Sequence, residues 1–439
     1  MNKFNKYKIP IFISLNILVL ISLFGMAYAY FRATINNAES ASTISVESGE
    51  LTINYQGNTA DIVASGIIPG WSETKKFTLS GKNTTKTTEF HTDNNLYYKI
   101  ILAIDNNTFT KGALTYNLAK DSTSSTNGKM ADEASGTINQ SGNQIIGYGY
   151  FSETSTFVDH IYNLTISFPS TEYEQSADNG KSFAAHVTIK EGKQATATTF
   201  AEDSWETIAA VVQDGRSNAY PVGSEKEVEI AGTSYTVRVA NNTTPDECYR
   251  EDFSQTACGF VVEFVDIVEK RQMNPSGTYK GTEYKYGWNV DGWPATAMRT
   301  YANEEFFNKL PSDLQKVIIK TKVISGHGST SGETNFTSTD KIYLLSGHEV
   351  WEDGTSNKVS TTDTAYNNTR QLDYYANLGV TTNNYSSAIK QYNGSNFLWW
   401  LRAALSYYND GFLDVYNSGV WDSNYAFRTA GFAPAFRIG

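Results

Sequence analysis

A chain of 439 residues exceeds the size at which one hydrophobic core keeps growing, about 250 to 300 residues, so a single ordinary domain is excluded. Asp and Glu (46) outnumber Lys and Arg (35), and the net charge of −11 offers no general basic surface, so no nucleic acid partner is expected. Charged residues are only 18% of the chain while Tyr alone numbers 28, and a composition rich in Tyr, Thr, Ser, Asn and Gly is that of extracellular β proteins.

Lys3, Lys6 and Lys8 precede an uncharged apolar run over residues 9–31, closed by Arg32. The positive end, the apolar middle and Ala27-Tyr28-Ala29 read as an export signal cleaved after Ala29. The run also has the roughly 20 residues that span a bilayer, so 1–31 is read as a signal peptide or, if uncleaved, an N-terminal membrane anchor. The expected location is extracellular or at the cell surface. In an exported chain Cys248 and Cys258 are expected to pair as a disulfide, which over so short a loop contributes about 2 to 3 kcal/mol. His91, His160, His186, His327 and His348 stand at no ligand spacing to either cysteine, so no metal site is expected.

After a small-residue stalk over 32–40, the stretches 50–55, 75–79, 96–104, 113–118, 145–151, 161–168 and 183–189 alternate or carry β-branched and aromatic residues. Seven short strands without a helix predict that 41–193 is an all-β sandwich, of jelly-roll or Ig-like type. The polar insert 121–143 reads as an exposed loop. The leader end over 27–31, Gly49-Glu50-Leu51-Thr52-Ile53, Pro69-Gly70, Tyr162-Asn163-Leu164-Thr165-Ile166 and Phe183-Ala184-Ala185-His186-Val187 resemble the camelysin and biofilm matrix fibre family of Gram-positive bacteria. That resemblance implies export, a jelly-roll-like sandwich and possible self-assembly through it. A metalloprotease activity does not carry over, since the chain has no H-E-x-x-H.

A flexible join over 193–199 precedes Ser204, which has the character of an N-cap, with Glu206 in the first turn and Trp205, Ile208, Ala209 and Val212 on one face of a helix ended by Gly215. A hairpin about Ala231-Gly232-Thr233 and an apolar strand over 260–267 follow; Glu263 and Asp266 on that strand point to opposite faces and do not form a catalytic pair. Asn303 is expected to cap a helix through Lys309, Pro311 to open another, and 342–345 to form a buried strand before a turn at Ser346-Gly347-His348-Glu349. No nucleophile elbow, phosphate loop or Ser/His/Asp spacing is present, so the chain is not expected to be an enzyme.

The stretch 396–439 opens with Phe397-Leu398-Trp399-Trp400-Leu401-Arg402 and closes with Gly431-Phe432-Ala433-Pro434-Ala435-Phe436. Both ends read as core. Between them Tyr407, Tyr408, Asn409, Asp410, Phe412, Asp414, Tyr416, Asn417, Trp421, Asp422, Asn424 and Tyr425 form a polar-aromatic run of the kind recognition surfaces use, and the alternation predicts Leu413 and Val415 inward with Phe412, Asp414 and Tyr416 outward. These motifs, with Gly292-Trp293-Pro294-Ala295 and Asp340-Lys341-Ile342-Tyr343, resemble the C-terminal domain of unknown function of Gram-positive surface proteins and, more distantly, the C-type-lectin-like fold. The resemblance implies an α+β C-type-lectin-like domain over 204–439 that displays a ligand-binding face. Ala403 and Ala433 stand where that pattern has Ser and Arg.

The expectation is therefore a cell-surface binding or adhesion protein with a glycan or protein ligand. A structural matrix or fibre protein is the alternative, and an enzyme on the related formylglycine-generating fold lacks the reactive cysteine pair it would need in the C-terminal half. No cofactor is expected. Asp410, Asp414 and Asp422 leave calcium possible, although the lectin E-P-N and Q-P-D motifs are absent.

Overall fold

The computed structural model describes residues 44–45, 51–57, 62–83, 95–172, 174–329, 332–354 and 358–439; the leader lies outside them. The chain divides into two compact units, Met1–Gln194 and Ala195–Gly439.

The first unit is built from antiparallel strands. β1 (Ile44–Ser45), β2 (Leu51–Gly57), β4 (Trp71–Asn83), β9 (Thr154–Phe168), β6 (Thr115–Lys120) and β7 (Ala134–Thr137) form one sheet in that order. β3 (Ile62–Ser65), β10 (Ser182–Glu191), β5 (Leu96–Asn107) and β8 (Gly142–Phe151) form the second. The period-two pattern explains the pairing: His160, Tyr162, Leu164, Ile166 and Phe168 of β9 are buried on one side, and Phe183, Ala185 and Val187 of β10 belong to the same core. The arrangement is sandwich-like. The insert 121–143 departs from the expected exposed loop, because it supplies β7 to a sheet edge and buries Ala131 and Ile138. The Ala131 amide donates to the Tyr162 hydroxyl at 2.7 Å, which ties the insert to the core.

That core holds a polar chain. His160 Nε2 lies 2.7 Å from the Asn127 carbonyl and Nδ1 lies 2.6 Å from the Tyr98 hydroxyl, which lies 2.6 Å from that of Tyr162. A carbonyl only accepts, so Nε2 carries the proton, Tyr98 donates to Nδ1, and Tyr162 donates to Tyr98. Burial lowers the His160 pKa below 6.5, with Asn127 and Asp159 opposing it.

The second unit mixes sheets with short helices. One sheet runs β11 (Glu225–Ile230), β12 (Thr233–Asn241), β13 (Val261–Phe264), β26 (Ala435–Ile438) and β17 (Ile318–Ile319). The other runs β14 (Glu269–Gln272), β25 (Thr429–Phe432), β22 (Trp399–Ala404), β23 (Gly411–Val415) and β24 (Trp421–Tyr425), with β24 at its edge. Hairpins β15–β16 (Gly277–Tyr279, Thr282–Tyr284), β18–β19 (Thr321–Ser325, Phe336–Asp340) and β20–β21 (Lys390–Tyr392, Ser395–Phe397) complete it. Ile230 pairs with Thr233, leaving Ala231 (φ 49°) and Gly232 (φ 82°) as a two-residue turn of the twist-matched kind. Ser204 Oγ accepts from the Thr207 amide at 3.1 Å and caps helix Trp205–Gln213, which buries Trp205, Ile208, Ala209 and Val211.

Two local expectations differ. Asn303 lies inside a helical stretch that runs from Ala297 to Lys309, and its amide reaches across to accept from Lys341 N (2.8 Å) and donate to Ile342 O (2.9 Å), so it fastens rather than caps. Residues 342–345 are buried but form no strand: Tyr343 makes a single bridge to Ala435, Ile342 bonds the Asn303 side chain, Leu344 O accepts from the Arg402 guanidinium and Leu345 O from the Arg402 amide. Cys248 and Cys258 form a disulfide with Cα atoms 5.9 Å apart.

The His160 chain makes the first unit acid-sensitive. A neutral buried histidine favours folding above the unfolded pKa, and the benefit is lost as pH falls below about 6.5 toward the depressed folded pKa. Amide-exchange protection along Thr154–Phe168 should weaken between pH 7 and 5, and His160→Gln should flatten that dependence; protection independent of pH would refute the buried neutral state of His160.

Candidate functional site

The site rests on the run Trp399-Trp400-Leu401-Arg402, all fully buried in β22. Arg402 grips both carboxylate oxygens of Glu349, each at 2.6 Å, and also donates to Leu344 O at 2.8 Å, Thr256 Oγ1 at 3.1 Å and Ile324 O at 3.3 Å. Glu349 further accepts from Thr369 Oγ1 at 2.7 Å, from the Ser346 amide at 2.9 Å and from the Thr256 hydroxyl. The Ser346/Glu349 capping box opens helix Gly347–Val350 and aims that carboxylate. Burial alone would raise the Glu349 pKa, but Arg402 outweighs it and holds the carboxyl below its usual range.

A second buried cluster ties the β12–β13 strands to the β20–β21 hairpin and to helix Asp373–Asn377. Glu263 accepts from Arg238 Nε at 2.9 Å and from Tyr375 Oη and Lys390 Nζ at 3.0 Å each. Asp266 instead accepts from the Gln391 amide at 2.8 Å, so the two acids do not converge. Burial pushes Lys390 down to about 8.

Above this frame the segment 405–411 is closed by the Leu405 amide on Gly411 O (3.0 Å), bonded by the Ala426 amide at Asp410 O (2.7 Å) and gripped by Asn289. Asn289 Nδ2 donates to the carbonyls of Leu405 (3.1 Å), Tyr408 (2.6 Å) and Gly411 (2.8 Å), and the Asn289 amide donates to Asn409 O at 2.9 Å. Held in this way, Tyr407 and Tyr408 stand 53% and 59% exposed, with ring centres 5.0 Å apart in an edge-to-face pair. Gly411 pairs with Tyr425, so Tyr425 lies at the same end of the sheet. Its ring stacks on Tyr286 at 4.7 Å, and Phe427 lies 5.5 Å from Tyr286. The hairpin β15–β16 leads into this contact through Tyr279 and Trp288, parallel at 5.0 Å. Gly287 (φ 77°) is required there: a Cβ would stand 2.7 Å from Asn274 O and 2.9 Å from Ala426 Cβ.

The twelve residues of the sequence-defined run therefore separate. Tyr407, Tyr408, Asn409, Asp410 and Tyr425 share one end, with Asn424 beside them. Tyr416 and Asn417 lie exposed in the turn after β23, with Trp421 and Asp422 beside it, about 14 Å away along a five-residue strand. That turn is packed: Trp351 Nε1 donates to Gly419 O at 3.2 Å. Phe412 and Asp414, expected to face outward, are fully buried, because β23 has paired strands at both edges and cover on both faces. The aromatics Tyr279, Tyr284, Tyr286 and Trp288 were not singled out from the sequence, although their recurrence in a Gly- and Thr-bearing hairpin is a recognisable signal.

Asp414 Oδ2 accepts from Asn424 Nδ2 at 2.6 Å, while Oδ1 is buried with no hydrogen-bond partner. Burial, with Asp422 across the strand pair adding to it, raises this carboxyl from 3.8 to about 7. Among the described residues no three His, Cys, Asp or Glu side chains are grouped so as to hold a metal ion.

Residues 267–439 match the family described as a domain of unknown function, DUF6273, so Arg402, Glu349 and the tyrosine end fall within the matched region, whereas their partner Thr256 precedes it. No curated protein and no solved structure matches the chain.

Two outcomes are expected. Arg402→Met strands the Glu349 carboxylate in the core and should destabilise the second unit by about 3 to 5 kcal/mol, with the double replacement Arg402→Met/Glu349→Leu costing less than the sum of the singles, as denaturant titration will show. Asp414 binds its proton more tightly folded than unfolded, so the second unit should lose stability as pH rises from about 4 through 7. Asp414→Asn should reduce that slope without abolishing it, since burial also raises Asp363 and Asp410.

Proposed function

We propose that the chain is an exported cell-surface binding or adhesion protein. In this reading the second unit is an α+β C-type-lectin-like head that recognises a surface glycan or protein, and the first is a jelly-roll or Ig-like sandwich serving as stalk or assembly module. The observation that carries the proposal is the tyrosine end: exposed rings and an amide on a backbone fixed by Asn289 and anchored through β22 to the buried Arg402–Glu349 pair. Its accessible groups are large rings and hydrogen-bonding edges, which contribute contact area at low entropy cost. The recognition face is correspondingly narrower than the full run, centred on Tyr407, Tyr408, Asn409 and Tyr425. The matrix or fibre alternative draws support from Val63, Ile68 and Phe157, which the first unit leaves 61%, 73% and 51% exposed.

Alanine at Tyr407 or Tyr408 should leave the melting transition within about 0.5 kcal/mol of the parent and weaken attachment to cells or matrix by about 1 to 2 kcal/mol. Tyr416→Ala, at the far end of β23, should change neither. Trp400→Ala should unfold the head, at a cost of about 3 to 5 kcal/mol. If the Tyr407 and Tyr408 substitutions leave attachment intact, or Tyr416→Ala abolishes it, the face has been misplaced.

A further inference from the structure

We infer that the Cys248–Cys258 disulfide is a redox latch on the buried Arg402–Glu349 pair, acting through Thr256, so that the frame of the second unit closes fully only when both cysteines are oxidised. β12 and β13 are joined by irregular backbone that carries one short turn, Asp246–Tyr249, and the disulfide closes a loop within that connection. Cys248, Phe253 and Cys258 make a small core of their own, separate from the main core of the second unit. The disulfide is therefore an apolar anchor of the loop as well as its covalent closure.

What the loop delivers is specific. Thr256 lies two positions before Cys258, and its hydroxyl touches both members of the ion pair: it donates to Glu349 Oε1 and accepts from Arg402 Nη2 at 3.1 Å. The rest of 254–257 docks on the same surroundings. The Ser254 amide donates to Asn368 O at 2.7 Å and the Gln255 amide to Lys322 O at 2.8 Å, while Thr256 O accepts from the Tyr343 hydroxyl at 3.2 Å and Ala257 O from Arg370 Nη1 at 3.1 Å. Gln255 Nε2 returns to Cys248 O at 2.7 Å, which ties this docked strip to the far cysteine. Withdrawing the Thr256 hydroxyl leaves both buried ions short of a partner, a larger loss than the same bond broken at the surface. Latch and hydroxyl both precede the matched family region, so the ion pair inside that region is completed from outside it.

Such coupling is reciprocal: if the disulfide favours the closed ion pair, the closed ion pair protects the disulfide from reduction by the same factor. Cys248 and Cys258 are 4% and 0% exposed, so exchange with an external thiol requires the docked strip to lift. Closure by thiol–disulfide exchange passes two electrons and two protons from the cysteines to a partner disulfide, which leaves as two thiols. Dithiothreitol drives the reverse step and is itself oxidised to its cyclic disulfide.

The test uses the full chain with and without dithiothreitol. It reads the opening of β22 by native-state amide exchange and the dithiol–disulfide equilibrium by alkylation and mass spectrometry. Loop entropy alone should make reduction raise the opening constant about a hundredfold in any background. The latch adds about another tenfold in the parent, and that addition should vanish in Arg402→Met/Glu349→Leu. Thr256→Val should shift the equilibrium with dithiothreitol toward the dithiol by about tenfold, and it carries the test on its own if the double variant does not fold. Ile208→Val, which thins the core beneath helix Trp205–Gln213, is the control and should stay within about threefold. A reduced parent that unfolds while the reduced double variant stays folded also supports the latch. Equal effects of reduction in parent and double variant, or an equilibrium that Thr256→Val moves no further than Ile208→Val, overturns it and leaves the disulfide as a plain loop closure.

Discussion

Removing a guanidinium and a carboxylate from water costs several kcal/mol for each ion, and the second unit incurs that cost at its centre with Arg402 and Glu349. The pair is sustainable because few of its hydrogen-bonding groups are left bare: two strong contacts run between the ions, and Thr256, Thr369, Ser346, Leu344 and Ile324 take up the remainder. These partners come from separate stretches of chain. One side chain on β22 thereby locates the disulfide loop, the β18 strand, the run before helix Gly347–Val350 and the helix itself. β22 also carries β23, and β23 begins where the tyrosine segment ends, so the position of the exposed rings follows from the satisfaction of one buried charge.

Three of the buried acids of this unit, Glu349, Glu263 and Asp414, show that burial alone does not decide ionisation. Glu349 and Glu263 are both completely enclosed and both held below the usual carboxylate range, because Arg402 in one case and Arg238 with Lys390 in the other stand within hydrogen-bonding distance. Asp414 has an amide and a neighbouring acid instead of a cation, and its pKa moves the opposite way. The first two fasten sheets and loops together. The third adds a side-chain contact to Asn424 alongside the main-chain pairing of β23 with β24.

The first unit was largely legible because its strands have one wet face: the alternation in β9 and β10 maps directly onto core and solvent. Its insert was misread because polar composition hides a short edge strand, and Ala131 and Ile138 are isolated apolar residues in that stretch. In the second unit the helix cap at Ser204, the disulfide and the core ends of 396–439 were visible locally. The orientation of β23 was not, since alternation distinguishes two faces only when one of them meets water, and Gly411–Val415 is buried throughout. Nor does anything local announce that Arg402 pairs with an acid 53 positions earlier or that Asn289 reaches carbonyls more than a hundred positions later. Such contacts are set by topology, and the split of the polar-aromatic run into two ends of a strand pair is of the same kind.

The clamp made by Asn289 has an evolutionary corollary. Its three bonds and that of its amide all end on main-chain oxygens, a group that every amino acid supplies. The shape of the loop is consequently uncoupled from the identity of the side chains at its crest. Substitutions at 407–409 alter what the surface offers without altering the path that offers it, so specificity at this end can drift, or be engineered, independently of foldability, provided that position 289 itself is held.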